Sequence, residues 1–219
     1  MSAAELVVCT GLTYVCCCLV YTGAQWLALR LARVPVTRVQ LFFGKELLSF
    51  SKGDLTLAVG FIPLGSFLTQ DRTVYNAQSL GLRIALPFAG PLALSVFGLL
   101  ALGWNSWGHQ ILTGYWQLPW EALHPKTEAQ ALIAALHQLA DQSIQSFVGV
   151  IVVKTLAMNL LPTAFTPVGG IFVEPFKPEE DRQLPRVVNT YLVVSALASY
   201  AMMGMWIYAV GAYVWKAGQ

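Results

Sequence analysis

The stretch VTRVQLFFGKELLSFSKGDLTLAVGFIPLGSFL, residues 36 to 68, contains two apolar runs on either side of a polar turn. Apolar side chains alternate along part of each run, which is typical of β-strands. They are Val36, Val39, Leu41 and Phe43 in the first run and Leu55, Leu57, Val59 and Phe61 in the second. The turn falls at residues 51 to 54, where Gly53 and Asp54 favour a reversal of the chain. The stretch therefore predicts a β-hairpin.

The chain on both sides of this hairpin is too apolar for an ordinary soluble domain. Of its 219 residues, 56% are hydrophobic and 11% are charged, and the mean hydropathy is +0.60. A helix needs about 20 residues to cross a hydrocarbon core of about 30 Å. Four stretches are long enough, at about residues 6 to 29, 84 to 104, 144 to 165 and 187 to 213. We predict one integral membrane domain over residues 1 to 219, all-α apart from a small β element.

The hairpin must fit within this membrane domain. An open sheet edge cannot face lipid, so the hairpin is expected to pack on the helices or to line a cavity between them. Its last part, FIPLGSFL at residues 61 to 68, is apolar but too short to span. Because Pro63 and Gly65 interrupt it, we predict a re-entrant loop there.

The placement of lysine and arginine predicts the orientation of the chain. The connections after the first and third spans are basic, whereas the second connection has only Lys126 and the C-terminal tail only Lys216. By the positive-inside rule, both termini lie on the non-cytoplasmic side, and we expect a bacterial inner membrane. The net charge of +2 follows from this topology and gives no reason to expect a nucleic-acid partner.

The second connection contains a predicted amphipathic helix over residues 127 to 145. Its apolar stripe consists of Leu132, Ala135, Leu136 and Leu139. Thr127 and Gln130 have the spacing of a capping box, which predicts the start of the helix at Thr127.

Four short motifs occur in the order found in a known family. They are Phe43-Gly44-Lys45, Ile62-Pro63-Leu64-Gly65, Ala89-Gly90-Pro91-Leu92 and Asn159-Leu160-Leu161-Pro162. With these motifs the chain resembles the site-2 proteases, which are intramembrane zinc metalloproteases, over about residues 6 to 205. Ser66 stands where the family has a second glycine. The resemblance implies a groove for a partner segment, formed by Ile62, Pro63, Leu64, Gly65, Asn159 and Pro162.

The catalytic residues of that family are replaced in this chain. Tyr21, Thr22 and Gln25 stand where the family has the first histidine, the glutamate and the second histidine of H-E-x-x-H. That motif needs two imidazoles at i and i+4 to hold zinc, with the glutamate as general base. Pro167 or Val168 stands in place of the aspartate that is the third ligand. The resemblance therefore implies a pseudoenzyme without zinc or any other cofactor.

Few other residues are candidates for chemistry. Lys154 lies inside the third span, where a charged side chain is a candidate polar site unless it reaches the interface from near the end of its helix. The three histidines, His109, His124 and His137, do not have metal-ligand spacing, and we expect interfacial or structural roles for them.

Two classes of function remain. In the first, the chain is a scaffold: a structural or accessory subunit of a membrane protein complex, with other integral membrane proteins and the lipid bilayer as its partners. A client-binding adaptor that sequesters transmembrane segments is an alternative within this class. In the second class, the chain is an enzyme or carrier with different chemistry, for instance a pigment- or lipid-binding membrane subunit that uses His109 or the aromatic residues expected at the membrane interface.

Overall fold

The computed structural model describes residues 1–176 and 184–218, with only the backbone described at Pro63 and Leu64. In chain order its helices and strands are α1 (Ala3–Leu31), β1 (Val36–Lys52), β2 (Leu55–Gln70), α2 (Arg72–Asn76), α3 (Leu80–Ala85), α4 (Ala89–Leu123), α5 (Glu128–Gln142), α6 (Ile144–Asn159), α7 (Pro167–Val173) and α8 (Arg186–Ala217). The fold is mostly helical with one small sheet, as the sequence predicts.

Three helical stretches in the described part of the chain are long and apolar enough to cross a membrane. They are Ala3–Leu31, Leu80–Leu123 and Arg186–Ala217. The first and the last confirm two of the four predicted spans. Both expose large apolar side chains, such as Leu12 (61%) and Val187 (81%). Since apolar surface of this kind is compatible with lipid contact, the protein is an integral membrane protein.

The second predicted span, residues 84 to 104, is part of a longer helical stretch. Helix continues through the connection that we predicted after residue 104 and ends at Leu123. The chain changes direction at Gly103, which has a positive φ of 74° and separates two helical parts of α4. A glycine adopts this conformation at little steric cost.

The third predicted span, residues 144 to 165, is wrong in its extent. The helix α6 ends at Asn159 and has 16 residues, a length of about 24 Å at 1.5 Å per residue. Pro162 disfavours helical conformation in the residue before it, which helps to end the helix here. Nine of the 16 residues of α6 are buried, so it is a central helix of the bundle. Close packing against α4 occurs at Gly98, where an added Cβ would lie 2.6 Å from Val153.

The predicted hairpin is confirmed and is longer than expected. β1 and β2 are antiparallel, with Lys52 opposite Leu55 at the turn and Val36 opposite Gln70 at the base. The ladder is irregular near Phe42 and Gly44, which have positive φ values of 66° and 83°. Close to this irregularity, an added Cβ at Gly60 would lie 2.4 Å from the carbonyl oxygen of Phe43. Only glycine permits the two strands to approach so closely at this point.

The segment at residues 61 to 68 is strand, whereas the sequence predicted a loop. It belongs to β2, and its partners in β1 include Leu41, which lies opposite Ser66, and Gln40, which lies opposite Phe67. Pairing with β1 satisfies backbone groups that a loop in an apolar environment would leave exposed.

The base of the hairpin packs at the C-terminal end of α1. Leu29, Val34, Tyr75 and Leu86 form one buried cluster, against which Leu68 of β2 also packs. This cluster joins α1, the hairpin and the turn before α4, and it places β2 beside the C-terminal half of α1.

The amphipathic helix α5 is confirmed, but its predicted cap is not. Thr127 occupies the N-cap position without a side-chain hydrogen bond, because its φ of −121° and ψ of −79° differ from the extended geometry of an ordinary N-cap. Near the other end of α5, Asp141 accepts from the Met1 amine at 2.6 Å, and His137 Nδ1 lies 2.8 Å from the Tyr213 hydroxyl. Both chain termini therefore lie at the same end of the bundle.

Candidate functional site

Three of the predicted former active-site positions lie on α1, and two of them, Tyr21 and Gln25, face α4 and the turn before it. The Tyr21 ring packs against Gly90 so closely that an added Cβ at Gly90 would lie 2.6 Å from it. One turn later, Gln25 Nε2 donates a hydrogen bond of 3.1 Å to the carbonyl oxygen of Pro87. Both side chains therefore hold α1 against the start of α4.

The third α1 position, Thr22, contacts the β-hairpin. Its hydroxyl hydrogen-bonds with the hydroxyl of Ser66 on β2, and Thr22 is 3% exposed. Two turns earlier on α1, the Tyr14 hydroxyl accepts a 2.8 Å hydrogen bond from the backbone N–H of Gly65. The end of the Ile-Pro-Leu-Gly motif is thus tied to α1 by two polar contacts.

The other two predicted site residues, Pro167 and Val168, begin α7. Thr166 caps this helix by accepting a 3.2 Å hydrogen bond from the N–H of Gly169. The preceding turn folds tightly onto α7, since an added Cβ at Gly169 would lie 1.7 Å from the carbonyl oxygen of Thr163. The side chains of Pro167 and Val168 have no polar atom, so they make no hydrogen bond to the α1 positions.

The predicted groove residues fall into two groups. Ile62 is 41% exposed on β2, next to the anchored Gly65, whereas the side chains of Pro63 and Leu64 lie outside the described residues. Asn159 donates to the carbonyl oxygen of Thr155 at 2.8 Å within α6. The carbonyl oxygen of Pro162 accepts a 3.0 Å hydrogen bond from the Tyr191 hydroxyl of α8.

The helix α1 lies beside both groups. Its Tyr14 and Thr22 contact the end of β2, while Tyr21 packs against a core cluster that also contacts Leu160, the residue after Asn159. At about 100° per residue, these positions occupy neighbouring faces of one helix. This core cluster joins α1 to α6, at the end of which Asn159 lies.

Comparison with known families agrees with the motifs and with this fold. The sequence model of peptidase family M50 matches residues 26–202. The chain belongs to peptidase family M50. This result confirms the resemblance to the site-2 proteases, and comparison with curated proteins finds no match. The M50 match begins at Trp26, directly after the positions Tyr21 to Gln25.

Active M50 proteases use zinc, but the side chains at these positions do not fit that metal. Protein zinc sites use histidine nitrogen, cysteine sulfur or carboxylate oxygen. Here the Tyr21 ring packs on Gly90, and Gln25 directs its amide N–H to a carbonyl oxygen. Among residues 1–176 and 184–218, no group of three or more His, Cys, Asp or Glu side chains could hold a metal ion.

A buried polar cluster lies elsewhere in this M50 protein, around Lys154. Lys154 is 7% exposed, so its side chain stays in the bundle and does not extend to an interface. Its ammonium group donates to Gln117 Oε1 on α4, and Glu121, which is 5% exposed, adds a favourable electrostatic interaction. The sequence interpretation did not find either partner, because Gln117 is 37 positions away along the chain. A signal was present in Glu121, a carboxylate within an apolar, tryptophan-rich run.

The three histidines lie in separate places. His124 Nδ1 is 3.0 Å from the carbonyl oxygen of Trp120, and its ring packs against the Trp120 ring. His137 bridges α5 and the Tyr213 hydroxyl. His109 lies on α4, where it lines an open cleft together with Lys154.

Proposed function

We propose that this protein is a catalytically inactive member of peptidase family M50 that serves as a structural or accessory subunit of a membrane protein complex. One observation carries the proposal: Thr22, at the position of the family's general base, hydrogen-bonds with Ser66 of the hairpin. A threonine hydroxyl cannot act as a carboxylate base at neutral pH. In this chain the residue at the position that activates water in a protease, Thr22, joins α1 to β2.

The neighbouring positions support the same proposal. Tyr21 and Gln25 pack α1 against α4 and its preceding turn, so their side chains have structural contacts in place of metal coordination. The side chains of Pro167 and Val168, at the position of the third ligand, have no atom that can bind a metal. Three ligands and one base are replaced together, which is a larger change than a single substitution.

A binding role is supported by the exposed part of the hairpin. Every residue from Phe43 to Asp54 is exposed, and the segment includes Leu47 (60%), Leu48 (71%) and Phe50 (63%). Exposed apolar surface on a strand is a feature of sites that bind another protein or lie against lipid. A fixed subunit partner would cover this surface permanently.

The experiment that tests this proposal is purification from the native membrane in a mild detergent, with quantification of co-purifying proteins by mass spectrometry. A fixed set of partners at constant ratio is the expected result. Protein that purifies without any stoichiometric partner would contradict the proposal.

Paired variants can locate the binding surface. Leu48 and Ser49 are adjacent in a regular part of the ladder, opposite Val59 and Ala58, so their side chains point to opposite faces of the strand. If one face of the hairpin binds the partner, either Leu48→Asp or Ser49→Asp should reduce co-purification severalfold, and the other should not. His124→Ala is the control, because its ring contacts Trp120 of α4, away from the hairpin in the sequence.

A second candidate function is a client-binding adaptor that sequesters transmembrane segments. The exposed half of β1 favours it, because unpaired strand edges can add a strand from an extended peptide. Variable single-span proteins at low stoichiometry in the same purification would select this function over the subunit role.

We also propose a location and an orientation. The expected location is a bacterial inner membrane, with both termini on the non-cytoplasmic side, as the distribution of lysine and arginine favours. The position of both termini at one end of the bundle is compatible with this orientation. An alkaline phosphatase fusion to the C-terminus should be active, and an inactive fusion whose cytoplasmic counterpart is active would reverse the orientation.

A further inference from the structure

An open cleft of about 590 Å³ lies between the second part of α4, α5 and α6. One wall is the apolar stripe of α5 formed by Leu132, Leu136 and Leu139, and the other contains Trp116 and Trp120 of α4. Lys154 lines the cleft from α6, although it is 7% exposed. The cleft thus combines an apolar wall with one buried ammonium group.

We propose that this cleft binds a single long-chain carboxylate, such as a fatty acid, with its carboxylate at Lys154 and its chain along the stripe of α5. The proposal does not depend on the function proposed above. It assigns to Lys154 the role of an anion-binding residue in a cleft that is apolar along α5 and also carries polar side chains of α4, which are His109, Gln110, Thr113 and Gln117.

The donor capacity of Lys154 favours an anionic ligand. An ammonium group has three N–H donors, and Gln117 accepts one of them. Of the described residues that line the cleft, none is an aspartate or a glutamate. A ligand carboxylate would therefore find a charged donor and no lining carboxylate that repels it, and hydrogen bonds between ionised groups are among the strongest in proteins.

Glu121 sets the strength of this attraction. Its carboxylate interacts favourably with Lys154 in the ligand-free protein, but it does not line the cleft. One of its oxygens, Oε2, is buried without a hydrogen-bond partner among the described residues. Glu121 places a negative charge near Lys154, which repels a ligand carboxylate there, so neutralising Glu121 should strengthen ligand binding.

The volume of the cleft favours one chain over two. Pockets of about 300–1,000 Å³ hold one ligand of drug-like size, which suits a single acyl chain better than a diacyl phospholipid. The open side of the cleft is bordered by Trp116 (76% exposed) and Trp120 (60% exposed), so a chain could enter from the surrounding lipid.

The test uses the full chain in phosphatidylcholine nanodiscs with cis-parinaric acid, a fluorescent long-chain carboxylate. Energy transfer from tryptophan to the probe reports binding, since two tryptophans line the cleft. We expect saturable binding of one probe per protein, and binding of the methyl ester at least about tenfold weaker because it lacks the charge that Lys154 recognises. Equal affinity for the acid and the ester would contradict the proposal.

Matched variants separate the roles of charge and shape. Lys154→Met should weaken binding of the acid about tenfold and leave binding of the ester unchanged, whereas Lys216→Met, at an exposed lysine outside the cleft, should change neither. Glu121→Gln should strengthen binding of the acid. Unchanged affinity in Lys154→Met, or weaker binding in Glu121→Gln, would overturn the role of Lys154.

A filling variant tests the cleft without touching its charge. Ala135 is an exposed residue of α5 that lines the cleft, so Ala135→Phe should block both probes while the protein stays folded. Ala134→Phe, at an exposed neighbour that does not line this cleft, should bind both probes normally. Binding that survives Ala135→Phe, or displacement of the acid by an equal amount of phosphatidylglycerol, would place the ligand elsewhere or make it a phospholipid.

Discussion

The hydroxyl groups of Thr22 on α1 and Ser66 on β2 hydrogen-bond with each other. In the alignment that we propose with the site-2 proteases, Thr22 takes the place of a glutamate and Ser66 the place of a glycine. The contact between the two hydroxyls ties the hairpin to the helix.

This contact should be measurable as a coupling energy. Thr22→Val leaves the Ser66 hydroxyl without its partner and should destabilise the protein by about 1–3 kcal/mol. Ser66→Ala removes the second hydroxyl of the pair. The double variant should therefore lose less free energy of unfolding than the two single variants added together. Thermal unfolding of the four proteins in one detergent gives the comparison.

Thr10→Val is the matched control for the comparison of Thr22→Val, Ser66→Ala and the double variant. The Thr10 hydroxyl donates only to the carbonyl oxygen of Leu6 in its own helix, so its loss should be independent of Ser66. Strict additivity of Thr22→Val and Ser66→Ala would show that the two hydroxyls contribute nothing as a pair.

The contact between Tyr21 and Gly90 predicts a compensating pair. In Gly90→Ala, the new methyl group would lie 2.6 Å from the Tyr21 ring, and such overpacking costs about 1–3 kcal/mol. Tyr21→Leu removes the ring, so adding it to Gly90→Ala should recover part of the loss. Gly11→Ala, on a part of α1 with no atom within 4 Å of the new methyl group, should not lower the melting temperature.

Restoring two histidines should not restore a protease. Tyr21→His with Gln25→His supplies imidazoles at i and i+4, but Thr22 still lacks the carboxylate of the base, and neither Pro167 nor Val168 supplies the third ligand. We expect no cleavage of a transmembrane substrate at any zinc concentration, and less than one zinc per chain by elemental analysis. Cleavage by the variant, or stoichiometric zinc in the natural protein, would rule out the proposed inactivity.

Alkaline pH should destabilise the base of the hairpin through Tyr75. Its hydroxyl donates to the carbonyl oxygen of Arg83 at 2.8 Å, and burial, followed by the nearby Glu174 carboxylate, raises the pKa of Tyr75 to about 12. A tyrosine in an unfolded chain ionises near pH 10. The contribution of Tyr75 to the free energy of unfolding is therefore complete below about pH 10. It is lost as the pH rises toward about 12, because the tyrosine of the unfolded chain loses its proton first.

The test compares the melting temperature between pH 8 and pH 12 for the natural protein and Tyr75→Phe. The variant should be less stable at pH 8, by about 1 kcal/mol for the lost hydrogen bond, and should show a smaller fall above pH 10. Tyr208→Phe, at a half-exposed tyrosine of α8, is the control. Equal slopes in all three proteins would show that Tyr75 does not cause the alkaline loss.

The sequence predicted the parts of the fold that depend on local pattern. The apolar runs of α1 and α8 and the polar turn at Gly53 are local signals, and the structure has helices and a hairpin at these places. The predicted end of α6 was wrong because residues 160 to 165 are mostly apolar, so their hydropathy is that of a membrane span. Hydropathy does not show that a turn follows Pro162 and leads into α7, which Thr166 caps. The strand at residues 61 to 68 was missed because its pairing with β1 is a tertiary contact.

In the candidate site, too, the sequence predicted local features and missed tertiary contacts. The proposal that Tyr21, Thr22 and Gln25 replace catalytic residues came from the sequence, but the contacts of these side chains with Gly90, Ser66 and Pro87 join residues distant in the chain. Gln117, the partner of Lys154, could not be predicted for the same reason. Spacing rules within one helix identify neighbours three or four residues apart, whereas Gln117 belongs to another helix.

The buried position of α6 has a consequence for the order in which the protein is assembled. A central lysine makes insertion of an isolated helix less favourable by about 2.5–3.5 kcal/mol on translocon scales, and α6 is also shorter than the hydrocarbon core. We therefore expect α1 and the first part of α4 to enter the bilayer independently during synthesis, while α6 is retained there by its contacts with them. Biogenesis of this protein would then depend on Gln117 and Glu121, which receive Lys154 before α8 has left the ribosome.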